Sequence, residues 1–238
     1  VDQGGALVND FVDAFRFIGD NASLLWGLAL DQLALSGAAM AIAILIALPL
    51  GVWLGHLHRG SFIAISVSNI GRALPSLALI SIGVALLGIG FVNVMVALVV
   101  LAVPPMLTNA YVAVDGVDRD AVEAARGMGM TGTEVLTRVE LPLALPLIFA
   151  GVRTAVVYVI ATATLGSVAG ASTLGDVIVD QATYRLPGVL GAAICVAALA
   201  LVAELLFAGL QRAVTPRGLR ARRRVVGAAV GPATTTEA

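Results

Sequence analysis

Apolar residues fill most of this chain in long blocks separated by short polar stretches, and the blocks have the length of membrane-crossing helices. A hydrocarbon core of ~30 Å needs about twenty helical residues at ~1.5 Å each. About five blocks reach that length: Gln32 to Leu57, Ser61 to Leu87, Val92 to Val114, Leu145 to Val168 and Val189 to Leu210. Arg72 and Pro75 interrupt the second, and Pro104 and Pro105 sit in the second half of the third. Proline is tolerated in such helices where neighbours satisfy the freed carbonyls. The pattern predicts an all-α, polytopic membrane helical bundle over residues 31–212. A mixed segment, residues 1–30, precedes it, and a basic, then Gly/Ala/Thr-rich tail, residues 213–238, follows and is expected to be disordered. In the first segment Phe11, Phe15 and Ile18 recur at helical spacing and predict a helix lying in the membrane interface.

Composition agrees with the bilayer as solvent. The chain is 59% hydrophobic and 12% charged, with a mean hydropathy of +1.00. Soluble domains are closer to half apolar and a quarter charged, and disordered chains have low hydrophobicity and high net charge, so both classes are excluded. Every basic residue is arginine; there is no lysine. That removes a P-loop lysine and any Schiff-base chemistry, so if ATP drives the protein another chain binds it. Cys195 is the only cysteine, which excludes an internal disulfide and multi-cysteine metal or iron–sulfur sites. His56 and His58 flank Leu57 beside Arg59 and read as interface anchors, not as a metal site. The first residues lack a basic stretch ahead of an apolar core and do not read as a cleaved signal peptide. A membrane enzyme is disfavoured by the missing ligands, and an inverted-repeat secondary transporter by the lack of an internal repeat.

Charge concentrates between the third and fourth blocks. Residues 115–140 hold Asp115, Asp118, Arg119, Asp120, Glu123, Arg126, Glu134, Arg138 and Glu140, a density far above the chain's 12%. This stretch reads as a structured, water-facing loop. Asp118 or Asp120 is placed to cap a short helix through Ala121–Gly129, with Gly127 or Gly129 ending it. Arginine placement sets the orientation. Arg16 and Arg185 fall on one side of the membrane. Arg59, Arg119, Arg126, Arg138, Arg212, Arg217, Arg220 and Arg222–Arg224 fall on the other. The N-terminus is expected outside, and the charged loop and the C-terminus in the cytoplasm.

Within that loop Glu123-Ala124-Ala125 is followed by three residues, Gly129, nine residues, Val139, one residue, and Leu141-Pro142. Small residues let a short helix press close to another surface, Glu123 places negative charge near its start, and Gly129 permits a sharp turn after it. Pro142 and then Pro146 are expected to restart a helix at the membrane face. The spacing resembles the EAA loop of the membrane subunits of bacterial ABC importers, with Val139 in place of isoleucine. The resemblance implies the type I ABC importer permease (MetI-like) fold, with Glu123, Ala124, Ala125, Gly129, Val139, Leu141 and Pro142 coupling the chain to an ATPase subunit. ATP and Mg would sit on that subunit, with no cofactor in this chain. It also implies an extracytoplasmic substrate-binding protein, a second permease subunit, alike or different, and alternating access as the mechanism.

Three further stretches, Leu48 to Gly60, Asn69 to Gly83 and Ala163 to Ile178, look like the osmoprotectant branch of these permeases, whose members import glycine betaine, carnitine, choline or proline-type solutes. The branch's GAGGLG stretch reads Gly170-Ala171-Ser172-Thr173-Leu174-Gly175 here. Importers of another small solute, such as an amino acid, share a similar core and are the alternative. A secondary transporter or channel, or an anchor subunit of a membrane enzyme, is the alternative of a different class.

Three charges lie inside apolar blocks, where they normally face a bundle interior or a water-filled cavity: Arg72, Arg153 and Glu204. Arg153 and Glu204 fall at matching depth from the cytoplasmic side and predict an ion pair between the fourth and fifth spans. Arg72, Asn69, Ser76 and the carbonyls freed at Pro75 are candidates for a polar translocation path. Trp26, Trp53, Tyr111, Tyr158 and Tyr184 are scattered, so no aromatic cage for a quaternary ammonium is legible. The Arg220–Arg224 run is expected to meet anionic lipid headgroups; nothing points to nucleic acid.

Overall fold

A computed structural model describes residues 3–214, and among them the backbone is helical nearly throughout. The arginine-rich tail beyond residue 214 lies outside the described residues, as does the side chain of Arg72. Helix α1 covers Gln3–Asp20 and α2 runs unbroken from Ala22 to His56. Four stretches are long and apolar enough to cross a membrane: α2, α5 (Phe91–Asp115), the continuous helical stretch Gly132–Ala169 that contains α8 (Leu141–Ala163), and α10 (Gln181–Val214).

The second predicted span is two helices, not one. Helix α3 (Ser61–Ala73) and helix α4 (Ser76–Leu87) meet at Leu74 and Pro75, both extended, with φ/ψ of −75°/118° and −66°/122°. The cause is local: a proline ring drives the residue before it out of the α region. At ~1.5 Å per residue each piece reaches about 20 Å or less, short of a ~30 Å core, while the two in series have the length of one crossing.

Helix α5 is the centre of the bundle. It packs against α2 on one side and α8 on another, with α3 and α4 laid along it and α10 outside α8. The α2–α5 seam depends on Gly51 and Gly55, one turn apart. A Cβ on Gly51 would stand 2.7 Å from both Ala110 Cβ and Leu107 O, and one on Gly55 2.8 Å from Tyr111 O and Val114 Cβ. Small residues at four-residue spacing let membrane helices approach backbone to backbone, where dispersion acts in place of a hydrophobic drive. Gly71 against Pro104 and Gly151 against Asn109 repeat the device at α3–α5 and α8–α5. Pro104 and Pro105 leave α5 unbroken, and Asn109 Nδ2 donates to Pro105 O at 2.7 Å.

Helix α1 also packs on the bundle, which its spacing does not indicate. Ala14, Phe17 and Ile18 pack on Gly188 and Gly191 of α10, and Phe17 meets Tyr184 edge-on at 6.0 Å. Phe11 and Phe15 stay exposed on the other side. Two apolar faces lie on this helix, one for the protein and one directed away from it.

One polar side chain ties the far end of the bundle together. Gln32 is fully buried; its Nε2 donates to Ile160 O at 2.9 Å and its Oε1 accepts from Leu174 N at 3.1 Å. It joins α2, α8 and the segment that leads into α9 (Gly175–Val179).

Candidate functional site

The charged loop folds as two short helices and a wide turn. Helix α6 (Arg119–Gly127) begins at Asp118, whose carboxylate accepts from Asp120 N at 3.0 Å, an N-cap. It ends in a Schellman motif: Met130 N donates to Ala125 O at 3.2 Å and Gly129 N to Arg126 O at 2.9 Å. The residue that motif requires in the left-handed region is Gly129, with φ of 86°. Loss of the Asp118 cap is expected to cost about 1 kcal/mol of helix stability. Amide hydrogen exchange on Asp118→Ala checks it: the amides of the first turn of α6 should exchange faster while those of α5 and α8 stay protected.

The inner face of α6 belongs to the bundle. Val122 and Ala125 are buried in a cluster with Ala113, Val114, Val117, Val135, Ala144 and Ile148. Glu123, Ala124, Arg126 and Met128 are exposed, Met128 at 73%. The adjacent alanines of the motif therefore divide: Ala125 seats the helix on its own chain and Ala124 faces outward with Glu123. Val139 and Leu141 pack against the same cluster.

Helix α7 (Gly132–Val135) opens with a complete capping box. Glu134 N donates to Thr131 Oγ1 at 3.4 Å and Thr131 N to Glu134 Oε2 at 2.9 Å. A π turn, Leu136–Glu140, then runs directly into α8. Pro142 thus does not restart a helix. It sits in the first turn of α8, and the π turn holds Arg138, the residue whose carbonyl a proline ring at that position would strike in a regular helix. Pro146 likewise lies inside the continuous α8.

The polar residues of the spans form separate sites. Arg153 Nη2 hydrogen-bonds Glu204 Oε1, and Arg153 Nη1 donates to Gln211 Oε1 at 3.2 Å. Gln211 Nε2 in turn donates to Pro146 O at 2.9 Å, so the group joins α8 to α10. Arg153 and Glu204 remain about one-third exposed, at 35% and 32%, in a cleft of ≈ 680 Å³ that Thr154 and Tyr158 also line. Asn69 and Pro75 are exposed and Ser76 is half-buried at the α3–α4 break, apart from that cleft.

Sequence reasoning missed the two histidines' partners. His56 Nδ1 lies 2.5 Å from Glu140 Oε2, and His58 Nδ1 lies 2.9 Å from Asp115 Oδ1. Residues 84 and 57 positions apart give no local signal. Two other omissions were spelled in the chain: Gly51-x-x-x-Gly55 and Thr131-x-x-Glu134 are helix-packing and capping-box signatures.

Known proteins place this arrangement. Residues 43–217 match the family described as the binding-protein-dependent transport system inner membrane component. The glycine betaine/carnitine/choline transport system permease protein OpuCB of Bacillus subtilis (strain 168) is 39% identical, over 82% of this chain and 90% of that protein. The osmoprotectant import permease protein OsmW of Salmonella typhimurium is 32% identical, over 88% and 100%. In fold, the chain is similar to a chain of the inward-facing MetNI methionine ABC transporter, with a TM-score of 0.71 at 24% identity, over 82% and 98%. The chain is a multi-pass membrane permease of the ABC-importer type, and it belongs to the binding-protein-dependent transport system inner membrane component family.

Proposed function

We propose that this chain is the translocating subunit of an ATP-driven importer for osmoprotectants of the glycine betaine, carnitine, choline or proline type. ATP and Mg are held by a separate ATPase subunit, solute is delivered by an external binding protein, and a second permease subunit completes the path. The N-terminus faces outward, the α6 loop and the C-terminus face the cytoplasm, and the arginine-rich tail meets anionic lipid. The observation that carries this reading is α6 itself. A helix fixed to its own bundle through Val122 and Ala125 presents Glu123, Ala124 and Met128 on its free side. A partner that grips that side can push the bundle as a unit.

Glu123, Ala124 and Gly129 then form the coupling surface and its turn, with Ala125, Val139, Leu141 and Pro142 as its foundation. The α3–α4 break, with Asn69, Arg72, Pro75 and Ser76, contributes to the path, since irregular backbone at membrane depth is stable where it lines a cavity or is covered by protein. The Arg153–Glu204 pair fixes the packing of α8 on α10.

Uptake of labelled glycine betaine and choline tests this in cells that lack other osmolyte importers and carry the chain with its ATPase and binding protein. Uptake should rise with both partners present and should need both. Glu123→Arg should reduce it about tenfold or more, a coupling free energy of the usual size, with the amount of chain in the membrane unchanged. Undiminished uptake by that variant rejects the coupling role, and uptake of an amino acid other than proline, with none of the named solutes carried, rejects the osmoprotectant reading.

A further inference from the structure

The α6 loop joins α5 to α8 through the backbone, yet both of its ends are also held by a third helix that does not adjoin it in the chain. Asp115, the last residue of α5, meets His58, and Glu140, the last residue before α8, meets His56. His56 is the last residue of α2 and His58 lies in the turn that ends it. We propose that His56 and His58 are positioning residues that make α2 follow the α6 loop, so that force on α6 reaches three helices together. This rests on reading the loop as the coupling element.

The His56 contact is a buried one. Glu140 is fully buried, and its Oε1 has no hydrogen-bond partner, so the imidazole is what holds this carboxylate. His56 also lies beside the start of α7, with Nε2 3.7 Å from where a Cβ on Gly132 would stand. It is thus wedged between the beginning and the end of the loop's second half. Removing a partner from a buried carboxylate is costly, which makes the contact hard to lose during motion.

The His58 contact is held in place by the backbone. Helix α2 ends in a Schellman motif, with Arg59 N donating to Leu54 O at 3.3 Å and His58 N to Gly55 O at 3.0 Å. The left-handed position of that motif, normally glycine, is occupied by His58, with φ of 48°. A side chain kept where glycine would be more comfortable, and closed onto Asp115, fits a role for the imidazole beyond the turn. The α2–α5 seam needs neither histidine, because Gly51 and Gly55 already close it. What the imidazoles add is the loop.

His58→Gly separates the two roles, because it relaxes the turn and deletes the imidazole. The complete transporter, this chain with its ATPase and binding protein, is reconstituted in lipid vesicles, and solute uptake and ATP hydrolysis are read from the same vesicles. His58→Gly should unfold at the same temperature as the parent or higher, yet move about fivefold or more less solute per ATP, the lower end of a typical coupling between sites. His56→Asn and Glu140→Gln should each lower that ratio, and the double variant should lower it little more than either alone. An unchanged ratio in His58→Gly, while Glu123→Arg abolishes uptake, overturns the proposal, and this holds whether or not His56→Asn folds. If Glu123→Arg also leaves uptake intact, the coupling reading of the loop has failed instead, and this proposal with it.

Discussion

Gly51→Leu is expected to leave little folded protein in the membrane. Ala110 Cβ and Leu107 O already stand 2.7 Å from the point where the first added carbon would go, and both belong to the rigid wall of α5. The leucine has no rotamer that avoids that wall, because the clash arises at Cβ. The seam would have to open along Gly51 and Gly55 together, and Leu107, Ala110 and Val114 would lose contacts packed to crystal-like density. Overpacking typically costs about 1–3 kcal/mol where side chains can adjust; here backbone must move, so the upper end or beyond is expected. Against a total stability of about 5–15 kcal/mol this is a large fraction. Gly37 supplies the control, since it lies on the same helix with nothing within 4 Å of its added carbon. Gly37→Leu should elute in detergent and unfold like the parent, while Gly51→Leu should aggregate or unfold well below it. Equal behaviour of the two would mean that α2 and α5 do not meet at this seam.

Gln32→Glu is expected to be the more damaging of two changes at the opposite end of α2. The carboxylate can still accept from Leu174 N, but nothing remains to donate to Ile160 O. A carboxylate would then face a carbonyl in a site with no exposure to solvent. Burying an unpaired charge is among the costliest substitutions, and the group would instead bind a proton. Gln32→Leu should cost less, about 1–3 kcal/mol, the usual penalty for a buried amide that loses its acceptor, here Leu174 N. The order is read from thermal unfolding above neutral pH, with Gln32→Glu below Gln32→Leu and Gln32→Leu below the parent. Lowering the pH should bring the glutamate variant back toward the parent, because its proton restores a donor. A glutamate variant as stable as the parent would show that water reaches this site.

The legible parts of the chain were those whose physics is local. Block length predicted α5 to within one residue at each end, and it placed the fifth span inside α10, which begins eight residues earlier and carries a non-helical residue, Arg185, near its start. The sequence narrowed each end of α6 to two residues, Asp118 or Asp120 and Gly127 or Gly129, because an N-cap and a left-handed turn depend on the residue at that position; the backbone uses Asp118 and Gly129. Pro75 marked the break between α3 and α4, although its effect, two helices in place of one interrupted span, needed the backbone geometry. Arg153 and Glu204 could be paired because equal depth in a membrane is countable from helix ends. The histidines could not be. Their partners lie 84 and 57 residues away on other elements, at the end of the bundle where several carboxylates cluster, and only packing decides which carboxylate each one meets. The docking of α1 was illegible for a similar reason, since an amphipathic pattern gives a face and not the surface it will meet.

The unbroken length of α2 has a mechanical meaning. Its thirty-five residues span about 50 Å at ~1.5 Å per residue, well beyond a ~30 Å hydrocarbon core. Tilt alone does not absorb that excess, because spanning helices seldom lean more than about 40°. The helix therefore projects past the hydrocarbon and joins both faces of the membrane in one rod. One arm ends at His56, beside the charged loop, and the other carries Leu25 and Ala29 into the cluster with Leu174, Val177 and Ala192. A rotation of about 6° in a rod of this length displaces its far tip by about 5 Å. Small strokes at one face of the bilayer would thus arrive as opening-sized shifts at the other, with Pro49, near the loop end, as the place where the rod can flex.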